Sequence, residues 1–382
     1  MKFSLLTPRR GALTALVGIG LLATALAGCT SGTGGSSSAS GPYSAAKGCT
    51  KVGVSLPESA SSARWEANDH PDLVTAIKKY VPNASEPDVK NAQGSDTTQL
   101  SQVEAMLTKG DCILIVAPHD STAAATIVEK AYAQHVPVIA YDRLIQDKKT
   151  AFYVSFDNVK VGQLQGQYIS DNYQQYVTAN GNNNLVMING ASTDNNAVLF
   201  KQGAHSALDP LISGGKLTNV YEQFTPNWDN PTAQNEMQAA LTKTGGKLAV
   251  AYVANDGMAG TVIAALQQAN LAGKVLVTGQ DATVAGIQNI LLGNQSMTVY
   301  KAITKEANAA GQLAGALAQG NSTASLTNGA TTATQDGGAL PSVLETPVAV
   351  DKTNIASTVL ADGFVTKAEI CANVPAGTDG IC

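Results

Sequence analysis

The amino-acid sequence predicts an α/β protein made of two similar lobes, each with a parallel sheet flanked by helices. Short apolar runs alternate with longer amphipathic stretches from Lys51 onward, which is typical of βαβ units. The pattern occurs as two successive series of the same kind. About 335 residues remain once an N-terminal leader and linker are set aside, more than a single hydrophobic core usually holds.

The first series begins at Lys51. Its apolar runs, such as Ile113-Leu-Ile-Val-Ala, are short and rich in branched side chains, which favours buried strands, and the stretches between them have the length of amphipathic helices. Strands are predicted at 51–56, 88–91, 112–117, 136–142 and 152–157, and helices at 71–80, 96–109 and 123–134.

The second series begins at Val159 and repeats the alternation. Helices are predicted at 159–176, 196–208, 231–244 and 259–268, and strands at 184–190, 218–224, 248–256 and 274–281. A helix to Leu291, a strand at 296–301, a helix at 303–318 and a strand at 343–350 follow. One helix between two late strands indicates that the chain crosses between the lobes more than once. We assign residues 49–156 and 302–340 to one lobe and 157–301 and 341–382 to the other.

The first 48 residues read as an export signal and a tether. Basic residues at Lys2, Arg9 and Arg10 precede an apolar run over 11–27 that ends in Leu26-Ala-Gly-Cys, the pattern of a lipoprotein signal peptide over 1–28 with Cys29 lipidated. An uncleaved membrane anchor is the alternative, but about 16 apolar residues are fewer than the roughly 20 that span a bilayer. The Arg9-Arg10 pair leaves twin-arginine export open. The Ser/Gly-rich segment 29–48 predicts a flexible tether, so we expect an extracytoplasmic protein anchored to the cell membrane.

Four cysteines remain if Cys29 carries lipid. They are an even number in an oxidising compartment, where disulfides persist. Cys49 precedes the first strand and Cys112 opens another, so the two lie at the same ends of strands that could be neighbours; Cys371 and Cys382 could close a short C-terminal loop. Other pairings, and buried free thiols, stay open.

Several classes of function are disfavoured by the sequence. The formal net charge of -5 and a pI near 5.4 argue against a nucleic-acid surface. The four histidines show no metal-ligand spacing, and neither a calcium loop nor a Gly-x-Gly-x-x-Gly dinucleotide motif is present. We therefore expect no metal and no cofactor.

Polar side chains follow five of the predicted strands, at the edge where open α/β sheets bind ligands. Nearly all are charged or carry amide groups that both donate and accept hydrogen bonds. They are Asp142, Arg143, Asp194, Asn195, Asn196, Asn255, Asp256, Gln280, Asp281 and Lys301. Taken singly, each could equally be a turn former or a helix N-cap.

The two tryptophans of the chain, Trp65 and Trp228, both fall in predicted loops that could face the same cleft. A sugar ring has apolar faces and a polar rim, so two indoles could cover its faces while the polar groups bind its hydroxyls. Packing in the core or on the surface is the alternative for each tryptophan.

The ordered motifs resemble the periplasmic sugar-binding proteins of ABC importers of the ribose and galactose type, and within them the D-xylose-binding branch. The resemblance covers about residues 50 to 365. Its motifs include Arg64-Trp65, Asp194-Asn-Asn-Ala, Ser296-Met-Thr-Val-Tyr-Lys and Gly279-Gln-Asp-Ala.

This resemblance implies a type I periplasmic-binding-protein fold with three crossings between lobes that close over one monosaccharide. It implies a stacking pair, Trp65 and Trp228, and a hydroxyl-binding set, Asp142, Arg143, Asp194, Asn196, Asn255, Asp281 and Lys301. Weaker candidates are Arg64, Asn195 and Gln280.

The sequence departs from the family at two places near the first tryptophan. Ala67 stands where close relatives have a lysine, and Leu56-Pro57 stands where they have acidic residues. One rim contact is therefore either missing or replaced by a neighbouring polar residue, for example Glu58, Glu66 or Asn68.

The predicted function is a monomeric receptor, not an enzyme, that binds a monosaccharide, most closely D-xylose, and delivers it to a membrane permease. A sugar sensor for a membrane kinase or chemoreceptor would use the same site, and another monosaccharide could be the ligand. A glycoside hydrolase using Asp142 and Asp281 is disfavoured because an enclosed monosaccharide leaves no room for a leaving group. A transcriptional regulator is disfavoured because an export signal stands where a helix-turn-helix would be.

Overall fold

The first lobe is built on a mostly parallel sheet whose four central strands are buried on both faces. A computed structural model describes residues 42–382; the predicted signal peptide over 1–28, Cys29 and most of the tether lie outside the described residues. The first series forms β1 (Val52–Leu56), α1 (His70–Tyr80), β2 (Asp88–Asn91), α2 (Asp96–Lys109), β3 (Ile113–Val116), α3 (Ala125–Tyr132), β4 (Val138–Tyr141) and β5 (Phe152–Phe156).

The second lobe repeats this arrangement. It contains α4 (Asn158–Asn180), β6 (Asn184–Asn189), α5 (Asn195–Ser213), β7 (Thr218–Phe224), α6 (Asn230–Thr244), β8 (Val250–Val253), α7 (Asp256–Gln268), β9 (Leu276–Val277), α8 (Val284–Leu291) and β10 (Thr298–Tyr300). The sheet order is β7-β6-β8-β9, all parallel. β10 lies beside the segment that follows β9, since the Val299 amide donates to the Gly279 carbonyl at 3.1 Å.

The rest of the chain returns to the first lobe and then leaves it again. It forms α9 (Ile303–Gln319), α10 (Ala324–Thr327), β11 (Thr331–Ala333), β12 (Ala339–Glu345), β13 (Val348–Val350) and α11 (Lys367–Cys371). The first sheet has the order β11-β12-β5-β4-β3-β1-β2, with β12 parallel to β5, while β13 pairs antiparallel with β10 of the second lobe. The chain thus passes between lobes after β5, after β10 and after β12.

One predicted strand and one predicted boundary need correction. The apolar stretch at 343–350 is not one strand but two, because Thr346-Pro347 interrupts it and proline has no N–H for a ladder. Ser342 to Glu345 pair with β5. The last crossing therefore lies between β12 and β13, and residues 341–345 belong to the first lobe's sheet, not to the second lobe as expected.

Both disulfides join cysteines that the fold brings close together. Cys49 and Cys112 lie at the same ends of the paired strands β1 and β3, with 5.7 Å between their Cα atoms. Cys371 and Cys382 close the C-terminal loop, with a Cα–Cα distance of 5.3 Å. The tail before that loop packs Val359 against the apolar core under α8. Between residues 42 and 382, no helix is both long and apolar enough to cross a bilayer.

Candidate functional site

The carboxyl ends of the strands in both lobes face one small cavity, with about 300 Å³ of space free of protein atoms, part of it open to solvent. The side chains that line it come from both lobes and are mostly polar. They are Ser61, Ser62, Arg64, Trp65, Asp142, Arg143, Asp194, Asn196, Phe200, Trp228, Asn255, Gln280, Asp281 and Lys301. The structure therefore brings together all the principal residues predicted for ligand contact, and two of the three weaker candidates.

Asn195 is the predicted residue that the structure places elsewhere. Its side-chain oxygen accepts a hydrogen bond from Gln146 Nε2 at 3.0 Å, and its backbone amide donates to Ser121 Oγ at 3.1 Å. Both partners belong to the first lobe, so Asn195 ties the lobes together outside the cavity. The helical spacing explains this: Asn196 faces the cavity, and its neighbour on α5 points about 100° away.

Asp142 lies at the centre of the polar network. One carboxylate oxygen accepts from Arg64 Nη1 and from Lys301 Nζ, each at 2.9 Å, and the other accepts from Asn196 Nδ2 at 3.1 Å. Burial opposes the charge on this carboxylate, but Arg64 and Lys301 more than offset burial and hold the pKa of Asp142 below its ordinary value. Lys301 and Asn196 come from the second lobe, so Asp142 is an anion at the point where the lobes meet.

Arg64 is surrounded by carboxylates from its own lobe. Its Nε and Nη2 donate to Asp69 at 2.8 and 2.6 Å, and Nη2 also reaches Glu306 at 3.3 Å. Burial raises the pKa of Glu306 well above its ordinary value. Arg64 thus orients Asp142 from behind while its guanidinium still forms part of the cavity wall.

Arg143 links the first lobe to the tryptophan of the second. It binds Glu58 through Nη2 at 2.6 Å and Nη1 at 3.2 Å, and its Nε lies 2.9 Å from Asp194 Oδ2. The same oxygen accepts from Trp228 Nε1 at 3.1 Å. Burial raises the pKa of Asp194, although Arg143 partly offsets it. Three residues are candidates to replace a rim contact that close relatives have. Only Glu58 approaches the cavity, through its contact with Arg143. Neither Glu66 nor Asn68 lines the cavity.

Asp281 is the carboxylate of the cavity with the fewest partners. It accepts from Ser62 Oγ at 2.8 Å and lies 3.9 Å from Arg64 Nη1. Burial raises the pKa of Asp281, more than the nearby Lys301 and Arg64 lower it. Asn255 donates to the Ser61 carbonyl at 3.2 Å across the cleft. These contacts show the cleft closed.

Two cavity residues also cap helices, which is the alternative role that the sequence allowed for residues at strand ends. Asp194 Oδ1 accepts from the Asn196 amide at the start of α5, and Asn255 Oδ1 accepts from the Met258 amide at the start of α7, both at 2.9 Å. The second oxygen of Asp194 and the amide group of Asn255 remain directed at the cleft. Capping therefore fixes each side chain without using all of its hydrogen-bonding capacity.

Both tryptophans are buried in the cavity wall. The Trp65 ring lies 4.6 Å from Arg64 Cζ and 5.2 Å from Arg143 Cζ, measured to its centroid. Within the described residues, Trp65 Nε1 and Gln280 Oε1 are buried without a hydrogen-bond partner. The cavity wall therefore offers one donor and one acceptor that make no hydrogen bond within the protein.

The sequence analysis missed three lining residues: Ser61, Ser62 and Phe200. The serines lie in the loop after β1, just before Arg64-Trp65, but serine is too common in loops to point to a ligand site by itself. Phe200 could have been found, because it lies one helical turn after Asn196 on α5 and so on the same face. No group of three or more side chains suited to a metal ion occurs among residues 42–382.

One protein family matches most of this chain. The family described as periplasmic binding protein domain matches residues 52–322. The chain belongs to this family. Among the relatives of this periplasmic binding protein, the D-xylose-binding periplasmic proteins of Haemophilus influenzae and Escherichia coli are 37% and 36% identical over 323 residues, covering 84% of this chain and 92% of each relative.

A solved structure shares the fold of this periplasmic binding protein. It is a solute-binding protein of an ABC transporter from Clostridium phytofermentans with β-D-glucose bound, 31% identical, with a TM-score of 0.74, covering 84% of this chain and 99% of that one. The predicted type I fold and the predicted family are confirmed. The family is one of binding proteins, so the prediction that the chain is not an enzyme is confirmed as well.

Proposed function

We propose that this chain is the extracytoplasmic sugar receptor of an ABC importer, and that its cavity binds D-xylose. The observation that carries the proposal is the cavity wall, which combines two buried tryptophans with eleven polar side chains from both lobes. Aromatic rings suit the C–H faces of a pyranose, and paired acceptors and donors suit its hydroxyls. The relatives named for D-xylose support the choice of sugar.

The geometry of the cavity supports a ligand-binding role for each of these residues. Trp65 and Trp228 cover the two faces of the ring, one from each lobe. The rim is bound by Asp142, Arg143, Asp194, Asn196, Asn255, Asp281 and Lys301, with Gln280 completing it. Arg64 acts mainly through Asp142, because its guanidinium is already bound to Asp69, Asp142 and Glu306.

Closure is the signal that the receptor passes on. Ser62 to Asp281 and Asn255 to Ser61 are contacts made across the cleft, and a sugar held by both lobes adds more of them. The closed form, which presents a different outer surface from the open one, is then favoured by the ligand's differential affinity and is the form the permease recognises. Lipidation of Cys29 would keep the receptor, as a monomer, near that permease.

Calorimetry of the purified protein tests the proposal. D-xylose, D-ribose, L-arabinose, D-galactose and D-glucose are titrated in turn, and micromolar or tighter binding of D-xylose is expected. Preference for D-glucose, the sugar in the Clostridium phytofermentans structure, would keep the mechanism and change the ligand. No heat with any of the five sugars would contradict the proposal.

A matched pair of variants ties the binding to the cavity. Asp281→Ala removes a buried acceptor and leaves Ser62 without its partner, so the affinity should fall by about 30-fold, equivalent to about 2 kcal/mol. Asp171→Ala removes an exposed carboxylate on α4 and should bind as the natural protein does. Equal affinity of the two variants would remove Asp281 from the site.

A further inference from the structure

Among the described residues that line the cavity, Phe200 is the one that is neither polar nor a tryptophan. It lies on α5 one turn after Asn196, is 2% exposed, and meets the Trp228 ring edge to face, with centroids 6.3 Å apart and planes at 68°. The benzyl group therefore forms an apolar patch in a wall that is otherwise built to hydrogen-bond.

One part of a pyranose ring is chemically suited to contact this apolar patch. An aldopentose in its pyranose form carries hydroxyls on C1 to C4, whereas C5 is a methylene. An aldohexose such as D-glucose differs from D-xylose only by a hydroxymethyl group on C5. With the ring faces covered by indoles and the hydroxyls by polar groups, the methylene is the part of the rim that suits a phenyl contact, and a hydroxymethyl there would lose its hydrogen bonds to water.

The patch is held rigidly by the packing of its helix. A Cβ added to Gly162 of α4 would overlap the backbone carbonyl of Phe200, and one added to Gly203 of α5 would overlap the Val159 carbonyl. The two backbones are thus in direct contact on both sides of Phe200. α5, which carries Phe200, therefore cannot move further towards α4.

We propose that Phe200 sets the selectivity of this cavity for aldopentoses over aldohexoses, by occupying the volume that the hydroxymethyl group on C5 would need. This inference rests on the proposed function and deepens it.

The test compares three sugars that differ only at C5: D-xylose, 6-deoxy-D-glucose with a methyl group, and D-glucose with a hydroxymethyl group. Calorimetry of the full chain should show D-xylose binding about 10- to 200-fold more tightly than either of the others. Phe200→Ala should weaken D-xylose and strengthen D-glucose, each by about tenfold, so that the ratio of their dissociation constants falls by about 100-fold. The methyl sugar separates exclusion by size from exclusion by polarity.

Leu208→Ala provides the matched control. Leu208 is fully buried on the same helix and in the same core but does not line the cavity. That variant should lose stability and keep the natural selectivity. If Phe200→Ala does not fold, Phe200→Leu shortens the side chain while keeping it apolar, and should shift the ratio in the same direction.

Two results would overturn the inference while leaving the proposed function intact. One is natural protein that binds D-glucose or 6-deoxy-D-glucose as tightly as D-xylose. The other is natural selectivity for D-xylose that persists in both Phe200 variants. If the natural protein binds none of the three sugars, it is the proposed function that fails.

Discussion

Substituting Gly190 by alanine should weaken sugar binding although it replaces no residue that contacts the sugar. Gly190 follows β6 and lies against the ring of Trp228, and an added Cβ would overlap Cη2, Cζ2 and Cζ3 of the indole. The backbone at Gly190 has no positive φ, so alanine fits there except for this overlap. Carbon–carbon contacts settle near 3.5 Å, so the indole would have to withdraw by about 1 Å or more.

The expected loss follows from what the indole covers. One face of the ring contributes roughly 80 Å² of apolar contact, which at about 25 cal/mol per Å² is about 2 kcal/mol, or about a 30-fold weaker dissociation constant. Phe200 and the hydrogen bond to Asp194 hold the ring in its present place, so it cannot move without losing these contacts too. Trp228→Ala should lose at least as much, because it removes the whole ring.

Tryptophan fluorescence is the assay of choice, because both tryptophans of the chain line the cavity and no other indole contributes to the signal. Gly260→Ala on α7 is the control, since a Cβ there meets nothing within 4 Å. We expect a changed emission spectrum and weaker D-xylose binding for Gly190→Ala alone. Natural affinity in Gly190→Ala together with a displaced indole would refute the assignment of Trp228 to the sugar face.

Two further predictions concern stability. Burial, together with the charge of nearby Asp281, raises the pKa of Asp256 to about 7. A raised carboxyl pKa stabilises the fold below about pH 4 and ceases to do so as the pH rises through 7, so the free energy of unfolding should fall over that window by an amount on the order of 4 kcal/mol at most. Asp256→Asn should reduce this dependence of the unfolding free energy on pH, measured by urea unfolding at several pH values. The same pH dependence in the variant and in the natural protein would contradict the prediction. The two disulfides can be removed by replacing each cysteine pair with serines. Loss of Cys49–Cys112, which closes a loop of 63 residues, should lower the free energy of unfolding by about 4 kcal/mol, and loss of Cys371–Cys382, with a loop of 11 residues, by about 3 kcal/mol. Urea unfolding measures both, and the reverse order would count against the loop-entropy argument.

Local signals explain which elements could be predicted from the sequence. The helix at 96–109 was placed correctly because Ser95 accepts from the Thr98 amide and Gly110 ends the helix in the left-handed region. The helix predicted to end at Leu208 continues to Ser213 because Leu208 and Leu211 pack into the core, which outweighs the helix-breaking tendency of Pro210. Tertiary packing decided that boundary, and no local pattern carries it.

The strand predicted at 274–281 shows how the site itself escapes prediction. Only Leu276–Val277 pair in the sheet, and the chain then turns so that Asp281 adopts a φ of 101°. Asp142 likewise has a φ of 58°. Non-glycine residues rarely adopt such angles, and the strain is tolerated at functional sites where the surroundings fix it. The sequence identifies these two aspartates as candidates for ligand contact. It does not reveal the backbone turns that direct their side chains into the cavity.

The pairing of the charges in the cavity wall is a feature that only the structure could show, and it bears on the kind of ligand. Three cations, Arg64, Arg143 and Lys301, face three carboxylates, Asp142, Asp194 and Asp281. Each cation is already committed, since Lys301 and Arg64 bind Asp142 and Arg143 binds Asp194. An anionic ligand would have to break one of these buried pairs, which costs several kcal/mol because the partner would be left buried and unpaired. A neutral polyhydroxyl ring needs no such rearrangement: its hydroxyls donate to carboxylates and accept from cations that stay in place, so the paired charges act as a preorganised polar wall.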